Sequence, residues 1–443
     1  MKKHSIALNF LIAFGTATAA HAQAPAATPP PDESQLGEIV VTGNKAEKLP
    51  KIAILPSLSP DLDDVVVRSV VRRDLEISGL FELVPDKQAP PGMYDFDDPV
   101  DVAAWQKTGA EAIVKVAARP AKGGKVEVLG LAYFLSVGKD PVYQKKLIVD
   151  KAIVRPTAHR ITDALLGALT GRPGGFASQF ILSSKWSKTR RVFRMDADGN
   201  GLTPLTEPSD TAIAPSWGPN NLVLYSLSRN YSPFQLFEIV GNLHRPVNVP
   251  FKTSIYSSAL NKDFTKLAVA VAENGKSAIY VGNPDGSGMQ KVSTTDLATH
   301  PVWSPSGKLA WVGGDAKHGT QRIFVDGKPV SPQGFPAGAP TFCDTEDGIR
   351  LAYSVSVGND RHDLVMSQEN GKGMVRLTQG QGSNTYPACS PDGRLLAFFS
   401  TRNKKEGLYA MSLKRFTTIQ VTTQMGESLR WAALPPPPAS AQP

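Results

Sequence analysis

The sequence predicts a small α/β domain followed by an all-β six-bladed β-propeller, and three observations carry that prediction. Strand and helix signals alternate between residues 51 and 171. Beyond them, a short anchor with an apolar third residue recurs at Trp217, Leu260, Trp303, Phe342, Cys389 and Trp431, in steps of 43, 43, 39, 47 and 42 residues. That is the period of a four-stranded propeller blade. The 38 glycines and 36 prolines among 443 residues supply the turns that many short strands require and that helix interiors would not tolerate.

The chain opens with an export-type leader. Lys2 and Lys3 give a positive start, Ile6 to Phe14 an apolar run too short to span a bilayer, and Ala20-His21-Ala22 a small-x-small cleavage site. Residues 1–22 are therefore expected to be removed on export across an inner membrane. Residues 23–35, rich in Ala and Pro, read as a flexible tether that cannot bury enough apolar surface to order itself. The stretch GEIVVTG (37–43) has the β-branched content of a short strand, or of a segment that becomes one on docking elsewhere.

The α/β domain is expected over residues 36–170, with that segment at its front. KIAIL reads as a buried strand. Asp61 caps a helix in which Leu62, Val66, Val67, Val70, Val71 and Leu75 recur at helical spacing, and Gly79 stops it. A second helix is expected to open with Asp98 as cap and Pro99 in the first position, and to close at Gly109. AEAIVKVAA and KVEVLGLAYFLSV follow as strands, the latter turning through Gly138 to Pro141 into VYQKKLIV. A last helix spans Pro156 to Thr170.

The propeller is expected over residues 171–434. Six anchors open five complete blades, and the anchor at Trp431 has no strands after it. Its missing strands are available upstream in FILSSKW, RRVFRMDADGNG and LTPLT, so the sixth blade should be closed from both ends of the propeller segment. Residues 435–443 form a Pro-rich tail with no core to join.

Composition narrows the function. Lys and Arg number 48 against 40 Asp and Glu, and the excess is spread thinly, which argues against nucleic-acid binding. Cys343 and Cys389 read as two buried small apolar side chains, with a single bridge as the alternative that an oxidising compartment permits. Asp196-Ala-Asp198-Gly-Asn200-Gly201 with Glu207 fits a calcium-binding helix-loop-helix pattern, but its flanks are strands, so a metal-free hairpin turn is expected. No Gly-x-Ser-x-Gly elbow, zinc-type histidine spacing or phosphate loop occurs, and no cofactor is expected. The enzymatic alternative is a periplasmic propeller enzyme of the calcium-dependent hydrolase or lactonase type. Asp210, Asp296 and Glu427, each shortly before an anchor, would be its channel carboxylates.

The opening IAILP strand, the helix ending RRDLEISGLFELV, the strand-helix order through ALTG, and the anchors PSW, PVWSPSG and PACSPDG resemble the TolB family, the periplasmic component of the Tol-Pal system. The resemblance covers nearly the whole mature chain. It implies a monomeric, non-enzymatic adaptor without membrane insertion that binds the outer-membrane lipoprotein Pal and the inner-membrane protein TolA, supporting envelope integrity and constriction at division. It places Thr211, Tyr256, His300, Asn384 and Tyr386 at the Pal-facing mouth. The TolA-binding segment would correspond to residues 36–43, with Leu36, Glu38, Ile39, Val40 and Val41 in it.

Overall fold

The computed structural model describes residues 33–36, 38–39, 48–57, 59–92, 94–314 and 320–432. The expected leader, most of the tether, Val40, Val41 and the tail lie outside the described residues.

The α/β domain is one five-stranded sheet in the order Glu82–Leu83, Lys51–Ile54, Ala112–Pro120, Lys125–Phe134, Tyr143–Asp150. The first three strands pair in parallel and the last three antiparallel. Alternation along Lys51–Ile54 sends Ile52 and Ile54 to one core and Ala53 to another, as period-2 geometry requires. Helices α1 (Leu62–Ser78) and α3 (Val154–Thr170) cover the first face, and α2 (Val102–Gln106) with Trp105 packs in the second core. Asp61 caps α1 by accepting from the Asp63 and Asp64 amides, and Gly79 ends it in the left-handed region at φ 62°.

Helix α2 starts later than its sequence suggests. The cap is Asp101, whose carboxylate accepts from the Ala104 amide, while Asp98 is used in a turn, accepting from the Asp95 amide.

Six four-stranded antiparallel sheets follow, and blades are numbered here from the first anchor. Their first strands are Thr211–Trp217, Ile255–Leu260, Leu297–Trp303, Ala337–Thr345, Asn384–Cys389 and Glu427–Trp431. Each contacts the next, and the sixth contacts the first, closing a ring about the channel. In blade 6 the strand order is Glu427–Trp431, Gln179–Trp186, Thr189–Asp196, Thr203–Pro204, so the C-terminal strand supplies the inner position of a sheet begun before the first anchor. The α/β domain shares its main core with blades 5 and 6: Val67, Leu165 and Leu166 belong to the same apolar cluster as Phe180, Leu182, Ala397 and Phe399. Arg73 donates to the carbonyls of Gln420 and Val421 across this junction at 2.7 and 3.1 Å.

Two sequence expectations change. Cys343 and Cys389 are joined in a disulfide with Cα atoms 5.4 Å apart, linking the first strands of blades 4 and 5. The reading as free thiols failed because their closeness comes from the stacking of adjacent blades, which spacing does not report. The second change concerns the front segment, which does not lie on the α/β sheet. Glu38 and Ile39 pair in parallel with Val375 and Arg376, adding a fifth strand to the outer edge of blade 4.

Candidate partner-binding surfaces

Every first strand carries a register shift before its anchor: between Ile213 and Ser216, Ile255 and Ser257, Thr299 and Val302, Gly338 and Thr341, Thr385 and Ala388, and Glu427 and Arg430. In five of the six, one residue in the shift adopts positive φ: Ala214, His300, Ala339, Tyr386 and Ser428. Such a bulge bends the strand and re-aims a side chain. His300, Ala339 and Tyr386 accordingly line one cavity of about 300 Å³ at the mouth between blades 3, 4 and 5, with Gln321, Ser354 and His362 opposite.

The mouth is electrostatically tense. Burial, with Arg430 as the second cause, pulls His300 down to about 4, and burial pushes Tyr386 up to about 12. His300 is therefore neutral at neutral pH. Its folded value lies below the unfolded value of about 6.5, so its contribution to stability is fully present above that pH and is lost as pH falls toward 4. His300 borders an open cavity that water screens, which reduces the effect. Wild type should lose about 1–2 kcal/mol more than His300→Gln in urea melts between pH 7.5 and 4.5. Equal losses in the two proteins would remove this assignment.

The other mouth residues divide. Thr211 and Tyr256 are half-buried on the first strands of blades 1 and 2. Asn384 is wholly buried: its amide donates to the His362 and Gly382 carbonyls and accepts from Ser400 Oγ at 2.8 Å. It shapes the rim from inside and presents no contact surface. Each candidate channel carboxylate is paired with its own cation. Asp210 pairs with Arg229 at 3.2 Å, Asp296 with Lys276 at 2.6 Å, and Glu427 with Arg190.

The front segment has its own socket on blade 4. Leu36, at the end of a 3-10 turn over Glu33–Leu36, is completely buried among Val312, Ile323, Phe335 and Tyr353. Glu33 pairs at 2.8 Å with Arg376, which is 2 % exposed and whose Nε donates to Asp363 at 3.0 Å. Asp363 follows His362 in the chain, so a mouth-lining residue and the anchor of the segment are neighbours on one strand.

The family model for the TolB amino-terminal domain matches residues 37–130. Curated relatives named Tol-Pal system protein TolB include one from Anaeromyxobacter dehalogenans (strain 2CP-C), 28 % identical over 240 residues, covering 53 % of this chain and 54 % of the relative. Another, from Nitrosospira multiformis, is 30 % identical over 189 residues, covering 41 % of each chain. Residues 37–130 thus match the TolB amino-terminal domain, and the chain is similar to Tol-Pal system proteins TolB.

The chain spans about half the length of the curated relatives it matches. The crystal structure of TolB from Acinetobacter baumannii shares the fold, with a TM-score of 0.72 at 19 % identity, covering 87 % of this chain and 97 % of that one. No helix among the described residues is long and apolar enough to cross a membrane.

One cluster escaped the sequence reading. Where α1 and α3 meet blade 6, the Asp74 carboxylate faces His159 Nδ1 at 2.8 Å, and Arg155 holds both Asp196, at 2.7 Å, and Asp198. Burial raises Asp74. Burial opposes charge on His159, but Asp74 and the neighbouring carboxylates overcome it and lift the imidazole to about 10. The loop from Asp196 to Gly201 is a hairpin turn between strands, closed by hydrogen bonds from the Asp196 amide to the Asn200 carbonyl and from the Gly199 amide to the Asp196 carbonyl, each 2.9 Å. Asp74 and His159 are 85 residues apart, and no local motif announces their meeting.

Proposed function

We propose that this chain is a non-enzymatic periplasmic adaptor of the Tol-Pal system. In this reading the propeller mouth around His300 and Tyr386 receives Pal, and the segment from Leu36 through Val41 is the TolA-binding element. The names of the curated relatives support a Tol-Pal role. The disulfide suits an oxidising compartment such as the periplasm.

The observation that carries the reading is the double use of blade 4. Its first strand lines the mouth with Ala337, Gly338 and Ala339, and its outer strand holds the front segment by backbone pairing. The chain His362, Asp363, Arg376, Glu33 runs from one to the other. A strand added to an exposed sheet edge is a reversible form of recognition, because the same backbone bonds can be offered to a partner. TolA therefore competes with blade 4 for the segment. A protein at the mouth that favours one placement of blade 4 shifts that competition by its differential affinity, typically 1–3 kcal/mol.

Hydrogen exchange at residues 33–39, measured with and without the soluble domain of Pal, should change several-fold. TolA should bind at least about 10-fold more weakly to a chain starting at Lys51 than to the whole chain. Unchanged exchange removes the coupling through blade 4. Full TolA binding by the shortened chain places its site elsewhere.

A further inference from the structure

We propose that the junction between the α/β domain and blade 6 binds one divalent transition-metal ion, using His159, Asp198 and Asp196 as ligands with Asp74 orienting the imidazole. Asp74, His159 and Asp198 each bring one ligand atom to within 4.8 Å of the other two. All three are buried, His159 at 2 % exposure, Asp198 at 1 % and Asp74 at 0 %.

Two unpartnered atoms point to a ligand. His159 Nε2 and Asp74 Oδ1 are buried without a hydrogen-bond partner. Leaving such groups unmatched is costly, and native interiors rarely do so. Nε2 stands 3.8 Å from Asp196 Oδ2, too far for a hydrogen bond and close to the separation of two ligands on one ion. The other ring nitrogen is already engaged by Asp74, the carboxylate–histidine arrangement that fixes a metal-binding imidazole in its tautomer and raises its basicity.

Charge and access agree with this. Once the ion displaces the imidazole proton, the three carboxylates outweigh Arg155 by two negative charges, which one divalent cation neutralises. Arg155 and Gln179 each take one oxygen of Asp196, and Arg155 and Asn200 those of Asp198, but each carboxylate oxygen keeps a second lone pair for a further partner. A cavity of about 240 Å³, lined by His159, Asp196, Gln179 and Asn221, gives an entry path and room for water as a further ligand. One imidazole with carboxylates suits a borderline ion such as Zn²⁺ or Co²⁺. The site is not a helix-loop-helix calcium loop: Asp196 and Asp198 come from a β-hairpin, and their partners come from two helices of the other domain.

The test uses the full mature chain, stripped with chelator, then titrated with CoCl₂ and separately with ZnCl₂ at pH 7. Calorimetry should give one site of micromolar or tighter affinity. Co²⁺ should develop visible absorption bands that Zn²⁺ bleaches. Asp198→Asn and His159→Gln should each weaken binding at least 10-fold, whereas Asp210→Asn, at the distant mouth, should not. The cobalt spectrum of wild type keeps the test open if either junction variant folds poorly. Absence of both heat and cobalt bands would overturn the proposal and leave the imidazole proton as what balances the cluster. Binding that survives both junction variants would overturn it as well, by placing the ion elsewhere.

Discussion

A chain ending at Gly426 should fail to unfold as a single cooperative unit, whereas removal of residues 435–443 should change stability by less than about 0.5 kcal/mol. The shortened chain lacks Glu427–Trp431, the inner strand of blade 6. With it go Leu429, which is fully buried, and Trp431, whose ring lies 4.4 Å from Phe180 and whose Nε1 donates to Ser178 Oγ at 2.8 Å. Losing a buried Leu costs about 2–5 kcal/mol and a packed Trp about 3–5. The sum rivals the whole stability of an ordinary domain, about 5–15 kcal/mol. The strand also joins the two ends of the ring, since it contacts the first strands of both blade 5 and blade 1. Its loss exposes the edge of the Gln179–Trp186 strand and opens the channel wall. Thermal melts followed by near-ultraviolet dichroism distinguish the cases. A single sharp transition within a few degrees of wild type would show that the other five blades close without it.

The legibility of this architecture has a physical limit. A propeller is written in its sequence because each blade repeats one local problem, an apolar anchor followed by hairpins whose turns need Gly, Asn or Asp. Trp217, Trp303 and Trp431 therefore reveal period and number together. Closure followed from counting, because an anchor without strands and strands without an anchor stood at opposite ends of the repeat. Helix α1 was legible through Asp61 and Gly79, whereas α2 was misplaced by three residues because Asp98 and Asp101 are equally good caps and only the fold selects between them.

What the sequence withheld depends on tertiary adjacency. His300, Ala339 and Tyr386 share a cavity because bulges at equivalent positions face one channel, and a bulge has no signature apart from the residue before a proline. The β-branched run after Leu36 showed that the front segment would pair as a strand. Its destination was set by Arg376, a buried guanidinium more than 300 positions away in the chain that Asp363 alone leaves partly unpaired. The Asp74–His159 pair was invisible for the same reason: its two helices are brought side by side by the sheet beneath them.

The disulfide gives the second large effect. Replacing both Cys343 and Cys389 by alanine should destabilise the chain by about 3–4 kcal/mol and lower its melting temperature by roughly 5 °C. The bridge closes a loop with a sequence separation of 46 residues, and the loop-closure entropy it removes from the unfolded chain amounts to about 4 kcal/mol at room temperature. In the folded chain it ties blade 4 to blade 5 beside a cluster of Ala352, Leu364, Leu396 and Phe398, with Cys343 itself fully buried. Alanine in that cluster leaves only a small void, so most of the loss should come from the freed unfolded state and appear equally when wild type is unfolded in reductant. Because blade 4 also holds the front segment, the double variant should loosen Leu36 only if it disturbs the strand at Val375–Arg376, three positions outward in the sheet from the bridged strand. Exchange at residues 33–36 should therefore stay within about twofold of wild type in native buffer. Thiol titration of the non-reduced, denatured protein checks the premise directly, with no reactive thiol expected. Two titratable thiols, or a double variant within 1 kcal/mol of wild type, would end the assignment of the bridge as a staple between blades.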